Sequence, residues 1–587
     1  MKATRLFDLI HNQLAENPLD ICLAYKHDNK WKEYSTQDVI GIVNNLSCGL
    51  LSLGVGKNDK VGIVSTNRPE WNFVDLALQQ IGAVSVPMYP TITPKDYRYI
   101  FEDSKLKYVF AGDAELVAKV KEASEGLDFF KGIYAFDAIH EAPSWKEVAE
   151  KGVADQTDLT PYREAVNAED LVTLIYTSGT TGNPKGVMLT HHNVLSNARA
   201  VSENLQPDGE IKKSLSFLPL CHIFERTSSY FYMLRGVSVY YAESLEKIGD
   251  NLKEVQPDMF TTVPRLLEKI YDKIVAKGME LSGIKKALFF WALDLGHKFD
   301  LQNDQGFWYN FQLKLANKLI FSKWREAVGG EIKLIASGGA ALQPRLATIF
   351  WSAQIPVLEA YGLTETSPGI AFNRYNKEDI RIGTVGPALP GVTIKIADDG
   401  EVLCKGPGVM KGYYNQPEKT DEVIDKEGWF HTGDIGEMVE NKFLKITDRK
   451  KEMFKTSGGK YVAPQLIENK LKESTLIEQA MVIGDGRKYP SALITPNFDN
   501  LKDYCKHKGI TYTTRAEMVK NDKVVDKFNR EVEAANEHFA QWEKIKQINI
   551  LPTEWSVEAG ELTAKLSLKR KVIESHYQQE IDAIYSA

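Results

Sequence analysis

Short runs of β-branched and aliphatic residues alternate with segments of helical period along most of the chain. KVGIVS (60–65) precedes the helical pattern WNFVDLALQQIG, and AVSVPMY (83–89), KYVFAG (107–112) and DLVTLIYT (170–177) follow. SLSFLPL (214–220), SVYYA (238–242), EIKLIASGG (331–339) and PVLEAYG (356–362) continue the alternation. Short buried strands separated by helices predict an α/β protein with parallel sheets flanked by helices. At the N-terminus Leu6, Leu9, Ile10 and Leu14 fall on one face of an amphipathic helix, with no apolar h-region of a signal peptide. No run reaches the ~18 apolar residues a membrane span requires. Contact with a membrane surface stays open.

The texture changes after residue 380. Gly and Pro become dense in GTVGPALPGV and KGPGVMKGYY, which predicts short antiparallel strands, as in a small β-barrel-like part or a curved sheet. TDRKKEMFK (447–455) then sets polar and charged residues between two apolar stretches, as a linker does. The predicted domains are therefore residues 1–448, large and N-terminal, and 449–587, a small α+β domain. Residues 451–587 carry 21 basic and 20 acidic side chains, so the small domain is nearly neutral. The pattern contains no repeat and no low-complexity tract.

Charge and cysteine content narrow the function classes. A net charge of −7 leaves no general basic field for nucleic acid. Cys22, Cys48, Cys221, Cys404 and Cys505 are scattered, with no C-x-x-C pair. That argues against a zinc knuckle or a disulfide scaffold and fits a reducing compartment. The expected location is cytoplasmic, with a peripheral position at the inner face of a membrane left open, as is a homodimer.

The densest chemistry lies in Tyr176-Thr-Ser-Gly-Thr-Thr-Gly-Asn-Pro-Lys-Gly186. A β-rich run delivers a loop of hydroxyls and glycines, and a second short run, VMLTH, follows. Glycines let backbone N–H groups converge on an anion, hydroxyls add donors, and a lysine adds charge. This is the chemistry of a triphosphate cradle. The spacing Gly179-x-x-Gly182-x-x-Lys185-Gly186 is not that of a Walker A loop, and no helix starts at once.

YTSGTTGNPKG resembles the signature of the adenylate-forming (AMP-binding) superfamily. Further motifs follow in the order expected for it: LPLCHIFERT (218–227), TVPRLLEKIY (262–271), SGGAAL (337–342), YGLTET (361–366), GWFHTGDIG (428–436), TDRKKEMFKTSGGKYVAP (447–464) and GELTAKLSLKR (560–570). LPLCHIFER, VPRLLEKIY and FKTSGGKYVAP together are similar to the long-chain acyl-CoA synthetase branch. The resemblance implies an ATP- and Mg²⁺-dependent ligase. In such enzymes a fatty acid carboxylate attacks the α-phosphate of ATP, giving acyl-adenylate and pyrophosphate, and the thiol of coenzyme A then displaces AMP. Two alternatives stay open: an acyl-AMP ligase that loads a carrier protein, and a catalytically weak fatty-acid-binding homologue.

Residue roles follow from the same resemblance. Thr177, Ser178, Gly179, Thr180, Thr181, Gly182 and Lys185 would hold the phosphates. Tyr361 would stack on adenine, with Gly362 and Thr364 beside the nucleotide, and Glu365 would be a Mg²⁺ ligand with Thr180 near the same ion. Gly338, Gly339 and Ala340 would allow close approach to adenine and the acyl carbonyl. Asp434 would accept the ribose hydroxyls, and Arg449 would approach the ribose and phosphate. Lys451 takes the hinge position, and Gly458 and Gly459 would line the pantetheine passage. His222 would sit beside the acyl pocket and the α-phosphate, although a histidine there equally suits a structural role. The apolar segments ALFFWALDLGHKF (287–299) and GFWYNFQLKLANKLIF (306–321) read by default as core helices. The functional readings are a lining or cap for an aliphatic chain, or a membrane-facing patch.

One motif departs from the pattern. In Thr563-Ala-Lys-Leu-Ser-Leu-Lys-Arg570, Ser567 falls where the family carries a lysine that reaches the α-phosphate. Lys565 and Lys569 flank it by two positions, on the same side if the segment is extended. Lys569 matches a basic residue already in the pattern, which leaves Lys565 as the expected substitute.

Overall fold

A computed structural model describes residues 3–155, 157–177, 183–205, 207, 209–556, 558–563 and 568–586. The chain forms two compact units. The first comprises residues 1–395, 403–431 and 439–444; the second comprises 396–402, 432–438 and 445–587.

Two large sheets build the first unit. The seven-stranded sheet runs in the order Gly412–Tyr413, Lys185–Thr190, Leu171–Thr177, Val84–Met88, Lys60–Val64, Tyr108–Ala111, Gly132–Ala135. From Leu171–Thr177 to Gly132–Ala135 the neighbours are parallel, whereas Lys185–Thr190 and Gly412–Tyr413 add on antiparallel. Every residue of Val84–Met88 and of the helix Pro69–Gln80 is buried; the strand reads as a near-continuous apolar run, whereas the helix also buries Glu70, Asn72, Asp75, Gln79 and Gln80. Pro69 starts that helix at a position that has no intrahelical N–H partner to lose.

The eight-stranded sheet has the order Gly369–Phe372, Val357–Gly362, Leu334–Ser337, Met259–Thr262, Lys213–Ser216, Ser238–Tyr241, Leu23–His27, Lys30–Tyr34. Its interior pairs are parallel and its two outermost pairs antiparallel. Each strand predicted from the apolar runs is present, shortened by one to several residues at its ends. The N-terminal helix forms as Asp8–Glu16, with Leu9 and Ile10 buried and Leu6 buried just before it.

The apolar segments near residue 300 form the helices Gly283–His297 and Phe307–Ala316, a π-helical turn Asn317–Phe321, and the helix Ser322–Ala327. The core-helix reading holds for one side only: Phe289, Ala292, Leu293, Ala316, Phe321 and Trp324 are buried. Several large apolar side chains on the other side are exposed. Among the described residues no helix is long and apolar enough to cross a membrane.

After residue 380 the chain contributes a four-stranded sheet in the order Thr393–Ile396, Glu401–Lys405, Phe430–Val439, Phe443–Arg449. Here the linker expectation needs correction. Thr447, Asp448 and Arg449 end a strand, and Asp448 is fully buried despite the polar composition around it. Its carboxylate is occupied by the backbone N–H groups of Arg449 (2.6 Å) and Gln465 (3.1 Å).

The second unit holds a three-stranded sheet, Ile477–Ile483, Ser491–Pro496 and Ile548–Ile550, antiparallel then parallel. Alternate residues point to opposite faces. Ala480, Val482, Ala492 and Ile494 pack with Val462, Ile467 and Phe528, whereas Met481, Ile483 and Leu493 pack with Trp555, Ile573 and Ile581. All five cysteines of the chain are buried and none is in a disulfide; burial pushes the thiols of Cys22 and Cys404 up to about 12.

Candidate active site

The phosphate motif begins on one strand and ends on its antiparallel neighbour. Leu171–Thr177 pairs with Lys185–Thr190, with Tyr176 opposite Gly186 and Thr177 opposite Lys185. Ser178, Gly179, Thr180, Thr181 and Gly182 lie outside the described residues, so only the two ends of the cradle, Thr177 and Lys185, are placed. A Cβ on Gly186 would come within 3.1 Å of the Tyr176 ring, whose hydroxyl donates to Asp103 Oδ2 at 2.6 Å. The second strand runs into the helix His191–Asn204 through a capping box between Thr190 and Asn193. This anchors the loop's outgoing strand to a buried helix.

A third strand joins that pair and brings two candidates together. Tyr413 pairs with Val187, and the Tyr414 N–H donates to the Gly186 carbonyl at 2.7 Å. The Tyr413 hydroxyl donates to Glu365 Oε1 at 2.9 Å, while the Lys185 ammonium lies 4.3 Å from the centroid of the Tyr413 ring. Burial, reinforced by the Glu365 carboxylate, raises the Tyr413 pKa and keeps the phenol a proton donor. The Met410 N–H donates to the Glu365 carbonyl at 2.8 Å, fixing the backbone of the same turn. Lys185, Tyr413 and Glu365 thus form one contact chain from the phosphate motif to the turn Thr364–Thr366. Tyr413 was not singled out in the sequence. Its only signal was an aromatic pair in the Gly-rich stretch KGPGVMKGYY, and nothing in its spacing ties it to Glu365.

Tyr361 and Gly362 end the strand Val357–Gly362, at an irregular pairing with Gly369–Phe372. A Cβ on Gly362 would sit 1.8 Å from the Pro368 carbonyl oxygen, so the glycine is required by its own backbone neighbour. On the same strand Glu359 is buried, and burial pushes its carboxyl up to about 8. Gly338 follows the adjacent strand, its N–H donating to the Thr262 carbonyl at 3.1 Å. A Cβ there would meet the Phe224 ring at 3.3 Å, whereas Gly339 and Ala340 are exposed.

His222 is half-buried and caps the helix Ile223–Arg235: its Nδ1 accepts from the Phe224 N–H at 3.2 Å. The structural role is therefore filled by one ring nitrogen. Beside it are two buried charged groups that the motif string contained but sequence reasoning left unused. Glu225 accepts from the hydroxyls of Ser216 and Thr261, and burial pushes its carboxyl up to about 7. Arg226 donates to Asp75, Ser85, Thr173 and Tyr230. Its partners are dispersed along the chain, so no local pattern could announce the network.

The remaining candidates belong to the second unit. Asp434 is buried on the strand Phe430–Val439, and Arg449 Nε lies 3.7 Å from its Oδ1. The run DRKK is not uniformly solvated: Lys450 clasps Asp399 (2.6 Å) and Glu401 (2.8 Å). Lys451 is exposed in the turn that follows. At the head of the run, Asp448 is pushed up to about 7 by burial. Gly458 and Gly459 form the exposed tip of a hairpin whose strands are Phe454–Lys455 and Tyr461–Val462. Gly459 has φ +77°, and a Cβ on Gly458 would meet only Thr456 Oγ1, at 3.8 Å.

Lys565 and Ser567 lie outside the described residues. The flanking chain is pinned: Leu562 bridges Leu568, and the Lys569 N–H donates to the Glu561 carbonyl at 2.8 Å. Arg570 makes bidentate contact with Glu468 (2.6 and 2.7 Å) and reaches Glu452 at 3.1 Å. Among the described residues no three acidic, histidine or cysteine side chains gather to hold a metal.

Comparison with known proteins identifies the family. The profile of the AMP-binding enzyme family matches residues 10–414, and that of the AMP-binding enzyme C-terminal domain matches residues 452–587. The chain belongs to the AMP-binding enzyme family. It is 34% identical over 574 residues to the long-chain-fatty-acid–CoA ligase FadD15 of Mycobacterium bovis, covering 95% of this chain and 93% of that one. It is 30% identical over 620 residues to long-chain-fatty-acid–CoA ligase 5 of Rattus norvegicus, covering 100% and 89%. Its fold is similar to that of a Mycobacterium tuberculosis fatty acyl CoA synthetase, with a TM-score of 0.64, 20% identity, and 98% and 99% of the two chains covered. The anthranilate CoA ligase AuaEII gives a TM-score of 0.72 at 18% identity, with 97% of each chain covered.

Proposed function

We propose that the chain ligates a long- or medium-chain fatty acid to coenzyme A through an acyl-adenylate, releasing AMP and pyrophosphate. The observation that carries this reading is its full-length likeness to proteins named long-chain-fatty-acid–CoA ligases at 34% and 30% identity. In the first half-reaction the carboxylate oxygen attacks the α-phosphorus of ATP and the bond to the β-phosphate breaks. In the second, the coenzyme A sulfur attacks the acyl carbonyl and the bond to AMP breaks.

The roles follow the chemistry of each group. Thr177, Lys185 and the loop from Ser178 to Gly182 bind the phosphates, Tyr361 stacks on adenine, and Gly338, Gly339 and Ala340 admit the nucleotide and acyl group closely. Asp434 offers two acceptor oxygens to the ribose, with Arg449 steadying them. His222 orients the substrate carboxylate beside the acyl pocket. Glu365 and Thr180 would hold Mg²⁺, which supplies charge neutralisation between phosphate oxygens; one carboxylate and a hydroxyl suit an ion that takes its other ligands from phosphate and water. Tyr413 is a positioning residue that fixes the Glu365 carboxylate. Residues 449–587 form the mobile domain, hinged near Lys451, with Gly458 and Gly459 passing the pantetheine arm. Lys565 substitutes for the lysine absent at Ser567. Five buried cysteines, none in a disulfide, suit a cytoplasmic enzyme.

Mass spectrometry of thioester formed from acids between acetate and stearate, with ATP, Mg²⁺ and coenzyme A, tests the reading. Turnover peaking at the longer chains is expected. Acyl-AMP without thioester would move the acceptor to a carrier protein, and neither product at high enzyme concentration would overturn the ligase. Lys565→Ala is expected to lower pyrophosphate release by about 10²–10³ while sparing thioester formation from supplied acyl-AMP. Unchanged release would remove Lys565 from its role.

A further inference from the structure

Three consecutive polar residues near the start of the helix Ile223–Arg235, Glu225, Arg226 and Thr227, are 0%, 1% and 4% exposed. Successive helical residues project about 100° apart, so the three side chains address three directions. Glu225 accepts from Ser216 and Thr261, on neighbouring strands of the eight-stranded sheet. Arg226 reaches the seven-stranded sheet, donating to Thr173 Oγ1 at 2.7 Å and Ser85 Oγ at 2.8 Å, and it pairs with Asp75 of the helix Pro69–Gln80. The Thr227 hydroxyl donates to the Ser367 carbonyl at 3.1 Å.

These contacts end at the candidate site. Thr173 lies on the strand Leu171–Thr177, four residues before Thr177 of the phosphate motif. The Ser367 N–H donates to the Thr364 carbonyl at 3.3 Å and so closes the turn that carries Glu365. His222 caps the same helix, and its carbonyl accepts from the Arg226 N–H at 3.1 Å.

Stability alone does not call for such a turn. A helix buried on all sides is ordinarily apolar, and a buried ion pair gains little over well-packed apolar groups of similar volume. Apolar contact is also non-directional, whereas a planar guanidinium with five N–H donors fixes its neighbours in angle as well as in distance.

We propose that the turn Glu225–Thr227 is the joint that holds the phosphate strands, the Glu365 turn and His222 in register, with Arg226 and Thr227 as positioning residues for the reaction. Arg226 acts on the phosphate strand through Thr173, and Thr227 acts on the Glu365 turn through Ser367. These assignments rest on the ligase reading for the roles of the parts they position, and nucleotide affinity, which needs no turnover, separates the two.

Isosteric substitutions that each delete one hydroxyl provide the test. Arg226 itself stays in place, since removing it would leave Asp75 buried and unpaired. Thr173→Val cuts the link to Arg226 and Thr227→Val the link to Ser367, while Thr173→Ser and Thr227→Ser keep the hydroxyls. In the full chain, with palmitate, ATP and Mg²⁺, Thr173→Val should slow pyrophosphate release about tenfold. Thioester formation from supplied palmitoyl-AMP and coenzyme A should stay within about twofold, because the β- and γ-phosphates take part only in the first half-reaction. Thr227→Val should raise KM about tenfold for both ATP and palmitoyl-AMP, which share the adenosine. In titration calorimetry α,β-methylene-ATP, which cannot be adenylated, should bind about tenfold more weakly to both Val variants, with the Ser variants within about threefold of the wild type. A merely structural threonine would lower kcat alike in both half-reactions, with KM and affinity unchanged, as active molecules are lost. That pattern overturns the proposal, as do Val variants equal to the wild type or Ser variants as impaired as the Val ones. Weakened binding by the Val variants with neither product from the wild type would overturn the ligase reading and support the joint. A wild type that binds no nucleotide overturns both.

Discussion

Gly362 and Gly458 are both glycines within motifs shared with the family, and they are glycines for opposite reasons. At Gly362 a Cβ would collide with the Pro368 carbonyl oxygen at 1.8 Å, so the strand end that carries Tyr361 cannot be built with any other residue. At Gly458 the space is open apart from the Thr456 hydroxyl at 3.8 Å, and its neighbour Gly459 needs only a left-handed backbone, φ +77°. The first glycine is accounted for by the fold. The second has no steric reason within the described residues, so its proposed part in passing the pantetheine arm is open to test by substitution.

Substitutions can break this contrast. Gly362→Ala should have the largest effect, a destabilisation of about 3 kcal/mol or more, because rigid backbone must move to admit the methyl. A thermal melt matching the wild type would refute it. On the same strand Glu359→Gln probes burial without changing shape. Its folded pKa, about 8, lies above the ordinary 4.5, so the folded chain holds a proton that the unfolded chain releases. Stability from this group is full below about 4.5 and is lost as pH rises to about 8, with a slope approaching ~1.4 kcal/mol per pH unit. Urea midpoints of Glu359→Gln should lack that slope; Glu225, at about 7, contributes a similar one that remains.

Smaller effects sharpen the comparison at the site itself. Tyr413→Phe deletes the hydroxyl that donates to Glu365 and should slow adenylation about tenfold, with a raised Mg²⁺ requirement that a purely structural tyrosine would not show. Gly459→Ala should cost about 1–2 kcal/mol of stability for its positive φ. Gly458→Ala should change stability by less than about 0.5 kcal/mol yet slow thioester formation while sparing pyrophosphate release. Equal rates in both half-reactions would return Gly458 to the status of an ordinary turn residue.

The strands were legible in the sequence because parallel strands covered on both faces must be apolar throughout, as Val84–Met88 is. What composition misread was polar burial. Asp448 looked like part of a solvated linker, but it is buried with two backbone N–H groups that partly offset its desolvation, and nothing local in TDRKKEMFK announces them. The Asp75–Arg226 pair fails for the same reason: the two side chains are separated by 151 positions, and only the packed fold joins them. Tyr413 and Glu365 are likewise joined only when Gly412–Tyr413 pairs with Lys185–Thr190. The motif residues could be named as candidates because each motif is a short contiguous string, whereas the groups that contact them are recruited from distant segments.

The five sequestered thiols also make this chain a convenient chassis for site-directed labelling. The thiolate attacks a maleimide's double bond, and groups that are both buried and, for Cys22 and Cys404, reluctant to ionise will react slowly in the native protein. A single cysteine introduced at an exposed position such as Lys451 or Tyr461 would therefore be the fast-reacting thiol, and a dye there could follow the glycine hairpin during turnover without first stripping the native cysteines.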